Sequence, residues 1–458
     1  MSAIPKQPEI SPVSGHNLLN NRLISGIIKS RWYPGVLQII TASVFAFIIY
    51  LFFFGEGLAH GNFGTALTWI MWWPLLPIIF ILLGRFWCAA CPFGAINDIV
   101  QRFFGHNHPV PQFLKSYGIW IIDAIFILVT WVDHIFGMVE FPWVSGAIML
   151  TIITAVVTSG AIWERRTWCR HICFLGGLSS NYSQTGMLAL RATPSICAKC
   201  KTASCFKGNE KVPGCPVFEY PRVMDSNSQC NLCGYCVKTC PNGSLTLKAR
   251  IPTEELWSVR KPQFAAAFLA AVIMGLVSLQ NVTMLQIWQP FLSGIGNILH
   301  TDEFKITFTV AFIIFISIPL LLLGITSLIA KKINGASLVQ NFAKFGYAII
   351  ALDVSAHIAH NFFHLFAEGG AIVRTGGTFF GIDTSNVAAN VLPGMTITIM
   401  QYSLIALGTI GSLYTAYRIS KASYKEKKWV TLLPYGVLIL LLGLVNIVLF
   451  SLPMTTRM

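Results

Sequence analysis

The residues best suited to chemistry are eight cysteines in the middle of the chain. Four of them, in the run CNLCGYCVKTCP at 230–241, have the spacing C-x2-C-x2-C-x3-C and are followed by proline. This spacing is typical of two-cluster ferredoxins, in which the fourth thiolate of each motif binds the other [4Fe–4S] cluster. The pattern therefore predicts a second group nearby. The sequence contains one, made of Cys197, Cys200, Cys205 and Cys215, the last followed by Pro216.

The crossed arrangement assigns these cysteines to two predicted clusters. The ligands of the first are Cys215, Cys230, Cys233 and Cys236. The ligands of the second are Cys197, Cys200, Cys205 and Cys240. The gap between Cys200 and Cys205 is longer than in the first motif, yet the loop still offers three thiolates. The alternatives are structural zinc, which usually takes two C-x2-C pairs, and disulfides, which a segment on the reducing side of a membrane would not keep.

Four further cysteines occur in two similar contexts. GRFWCAACPFG contains Cys88 and Cys91, and RRTWCRHICFLG contains Cys169 and Cys173; each run follows an apolar segment. The repeat predicts two related helical hairpins that bring four thiols together at the inner membrane surface. Four thiolates could bind a third cluster or a soft metal such as Cu(I), or could cycle between dithiol and disulfide. Small apolar fillers are the structural alternative.

The elements that must position these cysteines are membrane helices. Of the 458 residues 54% are hydrophobic and 11% are charged, and the mean hydropathy is +0.65. Such a composition excludes a soluble globule with one core. We expect an all-α polytopic membrane protein of about nine transmembrane helices with an inserted small ferredoxin-like two-cluster domain. The apolar windows lie roughly at 36–54, 69–86, 118–138, 144–163, 264–281, 305–329, 340–366, 394–418 and 430–452.

Lysine and arginine collect in alternate loops, which predicts the topology. The positive-inside rule places the N-terminus and the cysteine domain in the cytoplasm, in a multi-pass protein of a prokaryotic inner membrane. The net charge of +14 is spread over all the inner loops, which argues against nucleic acid as a partner. Lysines of the cysteine domain could dock an acidic soluble partner, such as a cytoplasmic electron donor, or anionic headgroups of membrane lipid; simple solvation of these lysines is the alternative. The predicted domains are an N-terminal segment at 1–34, a first transmembrane unit with both cysteine pairs at 35–189, the ferredoxin-like domain at 190–262 and a second transmembrane unit at 263–458.

The seventh predicted span is unusually polar. Its sequence GYAIIALDVSAHIAHNFFHLFAEGG places Asp353, His357, His360 and His364 at intervals of four, three and four, on one helix face. Ionisable residues inside a membrane are generally functional. The histidines could ligate haem b or copper near the outer face, or form a quinone site in which Asp353, the candidate catalytic residue, takes up protons. A structural polar stripe against neighbouring helices is the alternative.

The cysteine motifs resemble those of membrane-bound polyferredoxins, the family of NapH-, NosR- and CcoG-like 4Fe-4S membrane proteins. The residues that carry the resemblance are GRFWCAACPFGA at 84–95, WCRHICFLGG at 168–177 and the eight ferredoxin cysteines, within roughly the first 250 residues. The resemblance implies electron transfer between the quinol pool or cytoplasm and a periplasmic acceptor. Two positions depart from the family pattern: two residues rather than three separate Cys88 and Cys91, and Phe174 stands where the family has proline.

Together these observations predict a membrane electron-transfer protein. Electrons would pass between cytoplasmic-side [4Fe–4S] clusters and a quinone or periplasmic redox partner, as in the membrane subunit of a quinol dehydrogenase or a metal reductase. The alternative function is a copper-handling or cupric-reductase-type assembly factor for a periplasmic or membrane metalloenzyme. About 30 Å of hydrocarbon separates the two faces of a bilayer, so a further redox group near the outer face is expected.

Overall fold

A computed structural model describes residues 15–454 of the chain. Within this range nine helices are long and apolar enough to cross a membrane, which confirms the predicted all-α polytopic fold. Of the N-terminal segment predicted at 1–34, residues 1–14 lie outside the described range. In chain order, spans 1 to 9 are Gly35–Phe54, Phe63–Leu83, Gln112–Phe136, Pro142–Ile162, Phe264–Thr283, Phe304–Asn334, Leu338–Ala367, Gly394–Ser423 and Lys428–Ser451.

Shorter elements connect the spans. Two antiparallel strands, β1 (Leu188–Ala192) and β2 (Leu245–Ala249), enclose the cysteine-rich loop. Span 2 contains a π-helical stretch at Ala66–Trp72. Further helices are Arg22–Lys29, Phe86–Ala90, Pro92–Phe104, Thr167–His171, Phe174–Tyr182, Pro194–Ala198, Ser204–Lys207, Tyr235–Thr239, Glu254–Ser258, Trp288–Leu299 and Gly370–Phe379, and 3-10 turns lie at Leu18–Asn20, Ala59–Gly61 and Ser183–Thr185.

The chain forms two compact units. The first contains the described part of Met1–Ala46 together with Ile79–Ile122 and Leu150–Arg260, and the second contains Phe47–Ile78, Asp123–Met149 and Lys261–Met458 as far as residue 454. Each of spans 1 to 4 therefore contributes residues to both units. All twelve cysteines belong to the first unit, and the polar span 7 belongs to the second.

The two strands provide the base of the cysteine domain in the first unit. Leu190 faces Leu247 across the ladder, and alternate residues of both strands point to one side, as the period of a strand requires. These leucines pack with the sulfurs of Cys197, Cys230 and Cys236 in one buried cluster. The cysteines are thus part of the domain core rather than surface thiols.

Span 7 is the central helix of the second unit. Nearly all of its most apolar window is buried among spans 5, 6, 8 and 9 and the π-helical stretch. Small residues allow this close approach: a Cβ on Gly346 would lie 2.5 Å from the Cβ of Ala267 in span 5, and one on Gly408 in span 8 would lie 2.5 Å from the Cβ of Ser355. The polar face of span 7 is therefore enclosed by protein.

Candidate metal centres and a buried polar helix

The first predicted cysteine group surrounds a single space. Cys215, Cys230, Cys233 and Cys236 all line one cavity of about 720 Å³. The loop that carries three of them turns at Gly234, whose φ of +74° favours glycine, and a Cβ there would lie 2.8 Å from a methyl carbon of Ile28. A tight glycine turn followed by the short helix Tyr235–Thr239 thus directs these sulfurs into the cavity.

The second predicted group surrounds a smaller pocket, lined by Cys197, Cys200, Cys205 and Cys240. The Sγ of Cys197 lies 3.0 Å from the Oγ of Ser244, and the backbone N–H of Ser244 donates to the Sγ of Cys240 at 3.3 Å. Ser244 therefore connects two ligands from opposite ends of the loop. Each of the two pockets is thus lined by one of the two crossed groups of four cysteines, and their role as cluster ligands stays a prediction.

Electrostatics in these groups suits thiolates bound to a positive centre. Burial and then the neighbouring thiolates raise the pKa of Cys205 to about 12, and burial raises the pKa of Cys215 to about 11. The thiol of Cys200 lies closer to solvent, and the backbone at Ala203 lowers its pKa. Thiolates crowded in a buried space repel one another unless a cation is present. The donor sets therefore fit multi-iron clusters, in which each sulfur binds a different iron.

The four membrane-surface cysteines occupy equivalent places in two repeats. Cys88 and Cys169 lie in five-residue helices, Phe86–Ala90 and Thr167–His171. Cys91 and Cys173 immediately precede the longer helices Pro92–Phe104 and Phe174–Tyr182. The two cysteine pairs thus lie in matching local structure, and the relation between two whole hairpins stays a prediction.

These four thiols form a third group. Burial, together with the neighbouring thiolates of Cys88 and Cys169, raises the pKa of Cys91 to about 12. Burial likewise raises the pKa of Cys173, and the other three thiols add to the effect. The Sγ of Cys88 also lies 3.6 Å from the Oγ of Ser179 in the second repeat. The four thiols of the third group therefore lie near one another, but within residues 15–454 no three of them are close enough to hold a single metal ion. A third cluster, copper and dithiol exchange remain predictions for this group.

A buried charge cluster holds the two repeats together beside the third group. Asp98, on the helix after Cys91, accepts from Arg166 at 2.8 Å and from Arg165 at 2.9 Å, both just before Cys169. The backbone N–H of Arg166, whose φ is +54°, donates to the Oδ1 of Asn97 at 2.9 Å. Burial alone would raise the pKa of Asp98, but the two arginines outweigh burial and hold it below its usual value.

A further arginine, Arg85, connects the third group with the loop that carries Cys230. Arg85, three residues before Cys88, is 3% exposed. Its Nη1 donates to the backbone oxygen of Ser228 at 2.6 Å, two residues before Cys230. The sequence did not predict a structural role for Arg85. It indicated Arg165 and Arg166 only as basic loop residues that help to predict the membrane topology. The signal available for them was their position beside the repeated cysteine pairs.

In the second unit, the predicted polar residues of span 7 are all buried. Asp353 is 0% exposed, and neither carboxyl oxygen has a hydrogen-bond partner within residues 15–454. The Nδ1 of His360 lies 2.8 Å from the Oδ1 of Asn281 in span 5. The Nδ1 of His364 lies 2.9 Å from the Oε2 of Glu368, and the ring of His357 packs 6.1 Å from Trp73.

Haem, copper and quinone remain predictions for these histidines. Within residues 15–454 no three His, Cys, Asp or Glu side chains are close enough to hold a single metal ion. Sequence reasoning also missed Asp123 in span 3, which is 1% exposed with both carboxyl oxygens unpartnered in the described structure. Its signal was visible in the sequence as a carboxylate in the middle of an apolar span.

Comparisons with known proteins support the iron–sulfur interpretation. The chain matches the family described as 4Fe-4S binding domain over residues 65–111 and 144–184. These two segments contain the membrane-surface cysteine pairs and end before Cys197. No solved structure matches the chain.

Two proteins of Escherichia coli K12 are similar to the chain. The ferredoxin-type protein NapH is 24% identical over 194 residues, which cover 38% of this chain and 66% of NapH. YccM, named provisionally as an electron transport protein, is 24% identical over 200 residues, which cover 38% of this chain and 54% of YccM. The chain thus spans just under two thirds and about half of these relatives. The predicted resemblance to polyferredoxin-type membrane proteins is confirmed.

Proposed function

We propose that this protein transfers electrons through three thiolate-bound centres of its first unit to a lipid-soluble quinone. The observation that carries the proposal is the convergence of eight cysteines into two crossed groups around two spaces. An electron-transfer role is also supported by the 4Fe-4S match and by the similarity to NapH and YccM. Iron–sulfur clusters supply one-electron transfer when bound.

The order of the centres follows from contacts between the groups. Burial raises the pKa of Cys236, the other thiolates of its own group add to the effect, and so does Cys205 of the other ferredoxin group, so the two groups lie near each other. The guanidinium of Arg166 interacts with both Cys169 of the third group and Cys233 of the first. The group of Cys230 is therefore in the middle. The 4Fe-4S match over the third group favours a third cluster there over the copper and dithiol alternatives.

The exposed end of this series suits a soluble electron donor. Cys200 lies near solvent, and the lysines around it are exposed, namely Lys199, Lys201, Lys207 and Lys211. A positive surface next to a redox centre accelerates the encounter with an acidic partner and loses that advantage at high salt. We therefore assign a cytoplasmic acidic electron donor to this surface, with the N-terminus cytoplasmic and the protein in a prokaryotic inner membrane.

The cavity at the middle group suits a quinone. A cluster has to lie within bonding distance of the four sulfurs and so uses only the part of the cavity that they surround. The remaining lining is almost wholly apolar and includes Ile28, Trp32 and Val36. Trp32 and Val36 are 62% and 43% exposed at the start of span 1, so a ligand dissolved in lipid can reach the cavity. Its volume lies in the usual range for small-molecule sites, ~300–1,000 Å³.

The test is the oxidation of chemically reduced protein by a short-chain quinone, followed by stopped-flow absorbance. The quinone takes up two electrons and two protons while two reduced centres are oxidised. Val36→Trp, which fills the cavity, should slow this reaction by at least about tenfold. Val44→Trp is the matched control, because Val44 has the same exposure on the same span but does not line the cavity. Equal rates in wild type and Val36→Trp, or no oxidation by quinone, would redirect the proposal to a periplasmic protein acceptor.

Substitutions in the third group distinguish the copper-handling alternative from electron transfer. In the variant with Cys88→Ser and Cys169→Ser, an electron-transfer role for the third group predicts the loss of one iron–sulfur signal. The assembly-factor alternative predicts the loss of copper binding, with every iron–sulfur signal retained. Iron and copper analysis of the same samples separates the two results.

A further inference from the structure

The second unit contains a continuous line of ionisable side chains that electron transfer through the cysteines does not use. Asp353, His357, His360, His364 and Glu368 follow one another at intervals of four, three, four and four. These intervals keep successive side chains on one helix face, about 5–6 Å apart between Cβ atoms. The line extends over four turns, from the middle of span 7 to one residue beyond its end.

Every member of the line is enclosed by protein. The five residues are between 0% and 4% exposed. The rings of His360 and His364 have their centroids 5.0 Å apart. His364 is joined to Glu368 at 2.9 Å, and the Nδ1 of His360 is fixed by Asn281 at 2.8 Å. His360, His364 and Glu368 are thus in contact in succession, and Asp353 and His357 continue the same face at helical spacing.

The helices around the line add no competing charge at its depth. Span 5 contains no ionisable residue, and Asp353 is the only carboxylate within spans 5 to 9. From span 8, Gln401 donates to the backbone oxygen of Ala359 and the Oγ of Ser412 accepts from the N–H of Leu352. Span 2 contributes Trp73 beside His357. The cationic residues of spans 6, 8 and 9 lie towards the helix ends, at Lys305, Lys331, Lys332, Arg418, Lys421 and Lys428.

The line stops at Asp353. The residues that precede it on the same face are Ile349 and Gly346, and Gly346 packs directly against Ala267. One turn earlier, Phe342 packs on Phe264 with ring centroids 4.7 Å apart. The half of span 7 before Asp353 therefore offers apolar packing on this face, whereas the half after it offers ionisable groups.

We propose that this line is a proton path that connects the Glu368 end of span 7 with Asp353 at mid-span. A neutral imidazole accepts a proton on one ring nitrogen and releases one from the other, and a carboxyl group does the same with its two oxygens. A proton that enters at Glu368 is thus matched by one delivered to Asp353 through three imidazoles. Trp73, whose ring lies beside that of His357, directly follows the π-helical stretch of span 2, and such stretches are frequent at functional sites.

The path makes Asp353 exchangeable with water from one end of the span only. Proton delivery or removal at mid-span would serve any reaction that takes up or releases protons at that depth. The inference stands apart from the proposed electron transfer, because it needs no cluster and no quinone. Its test therefore reads the protonation of Asp353 directly.

The experiment is infrared spectroscopy of the full-length protein in lipid during transfer from H2O to D2O. The band of the Asp353 carboxyl group is assigned as the difference between wild type and Asp353→Asn, with Asp123→Asn as the control for a second buried carboxyl group. In wild type the band should shift to its deuterated position. In His360→Gln and His364→Gln, which keep a hydrogen-bonding amide but cannot relay, the exchange should slow on the order of 10²-fold.

The matched control is His134→Phe in span 3, because that ring stacks on Phe308 at 5.2 Å and lies outside the line. It should exchange like wild type. Exchange at the wild-type rate in both glutamine variants, or an Asp353 band that never shifts in wild type, would overturn the proposal. Iron content and elution volume verify that each variant is folded. A negative result for the proton path would therefore leave the electron-transfer proposal intact, and failure of electron transfer would leave the proton path intact.

Discussion

Replacing Asp98 with asparagine should open the hairpin pair that holds the third thiol group. Asp98→Asn keeps the size of the side chain but removes the carboxylate charge that pairs with both Arg165 and Arg166. Arg166 is 1% exposed, so its guanidinium cannot recover full hydration. The remaining buried positive charge should then destabilise the local structure around Cys169.

The expected loss of local stability in Asp98→Asn follows from the burial of the ion pair. Removing one partner of a buried ion pair costs ~3–5 kcal/mol. The side chain of Asp98 is 19% exposed and that of Arg165 is 18% exposed, so water offsets part of the loss and the lower end, about 3 kcal/mol, is expected. Such a change in local opening free energy corresponds to roughly a hundredfold larger open population.

The assay is alkylation of Cys169 under native conditions, followed by mass spectrometry of the peptide. If opening is in equilibrium, the labelling rate reports the open population and should rise about a hundredfold in Asp98→Asn. Glu164→Gln is the matched control, because Glu164 pairs with Arg170 at 3.6 Å in the same loop but is about one-third exposed. A pair of that kind is worth ~0–1 kcal/mol. Similar labelling of Cys169 in the two variants would refute the role assigned to Asp98.

Three further predictions concern the crossed cysteine groups, the packing of span 7 and the ionisation of Asp98. If ligation is crossed, Cys240→Ser and Cys205→Ser should abolish the same cluster signal in electron paramagnetic resonance, and Cys236→Ser should abolish the other signal. If ligation is uncrossed, Cys240→Ser and Cys236→Ser should instead abolish the same signal. Gly346→Ala should cost ~1–3 kcal/mol by overpacking span 7, measured as a lower temperature of aggregation, whereas Gly324→Ala in span 6 meets no atom within 4 Å and should not lower it. Because the folded-state pKa of Asp98 is depressed, its stabilisation should be complete above about pH 4 and lost as the pH falls through that pKa, so the labelling rates of wild type and Asp98→Asn should converge only in acid.

The membrane helices and the eight ferredoxin cysteines were accessible from sequence because each rests on local spacing. Twenty apolar residues predict a span wherever it packs, and the gap lengths between Cys230 and Cys240 reflect the reach of one short loop around a cluster. The repeat around Cys88 and Cys169 likewise predicted matching hairpins. Each of these signals can be read from a short stretch of sequence.

The remaining features depend on partners that are distant in sequence. The pairing of Asp98 with Arg166 joins residues 68 positions apart, and the contact of Arg85 with Ser228 joins residues 143 positions apart. From sequence, these arginines indicated only which loops face the inside of the membrane. A basic loop residue contributes to that pattern in the same way whether its side chain is solvated or buried. The burial of the line on span 7 likewise required knowledge of the four helices around it.

The most direct test of the central claim is iron and acid-labile sulfide analysis of anaerobically purified protein, combined with low-temperature electron paramagnetic resonance after reduction. Three thiolate-bound [4Fe–4S] clusters predict about twelve iron atoms per chain and interacting spectra from neighbouring reduced clusters. Iron near zero, zinc in its place, or cysteines recovered as disulfides would contradict the claim.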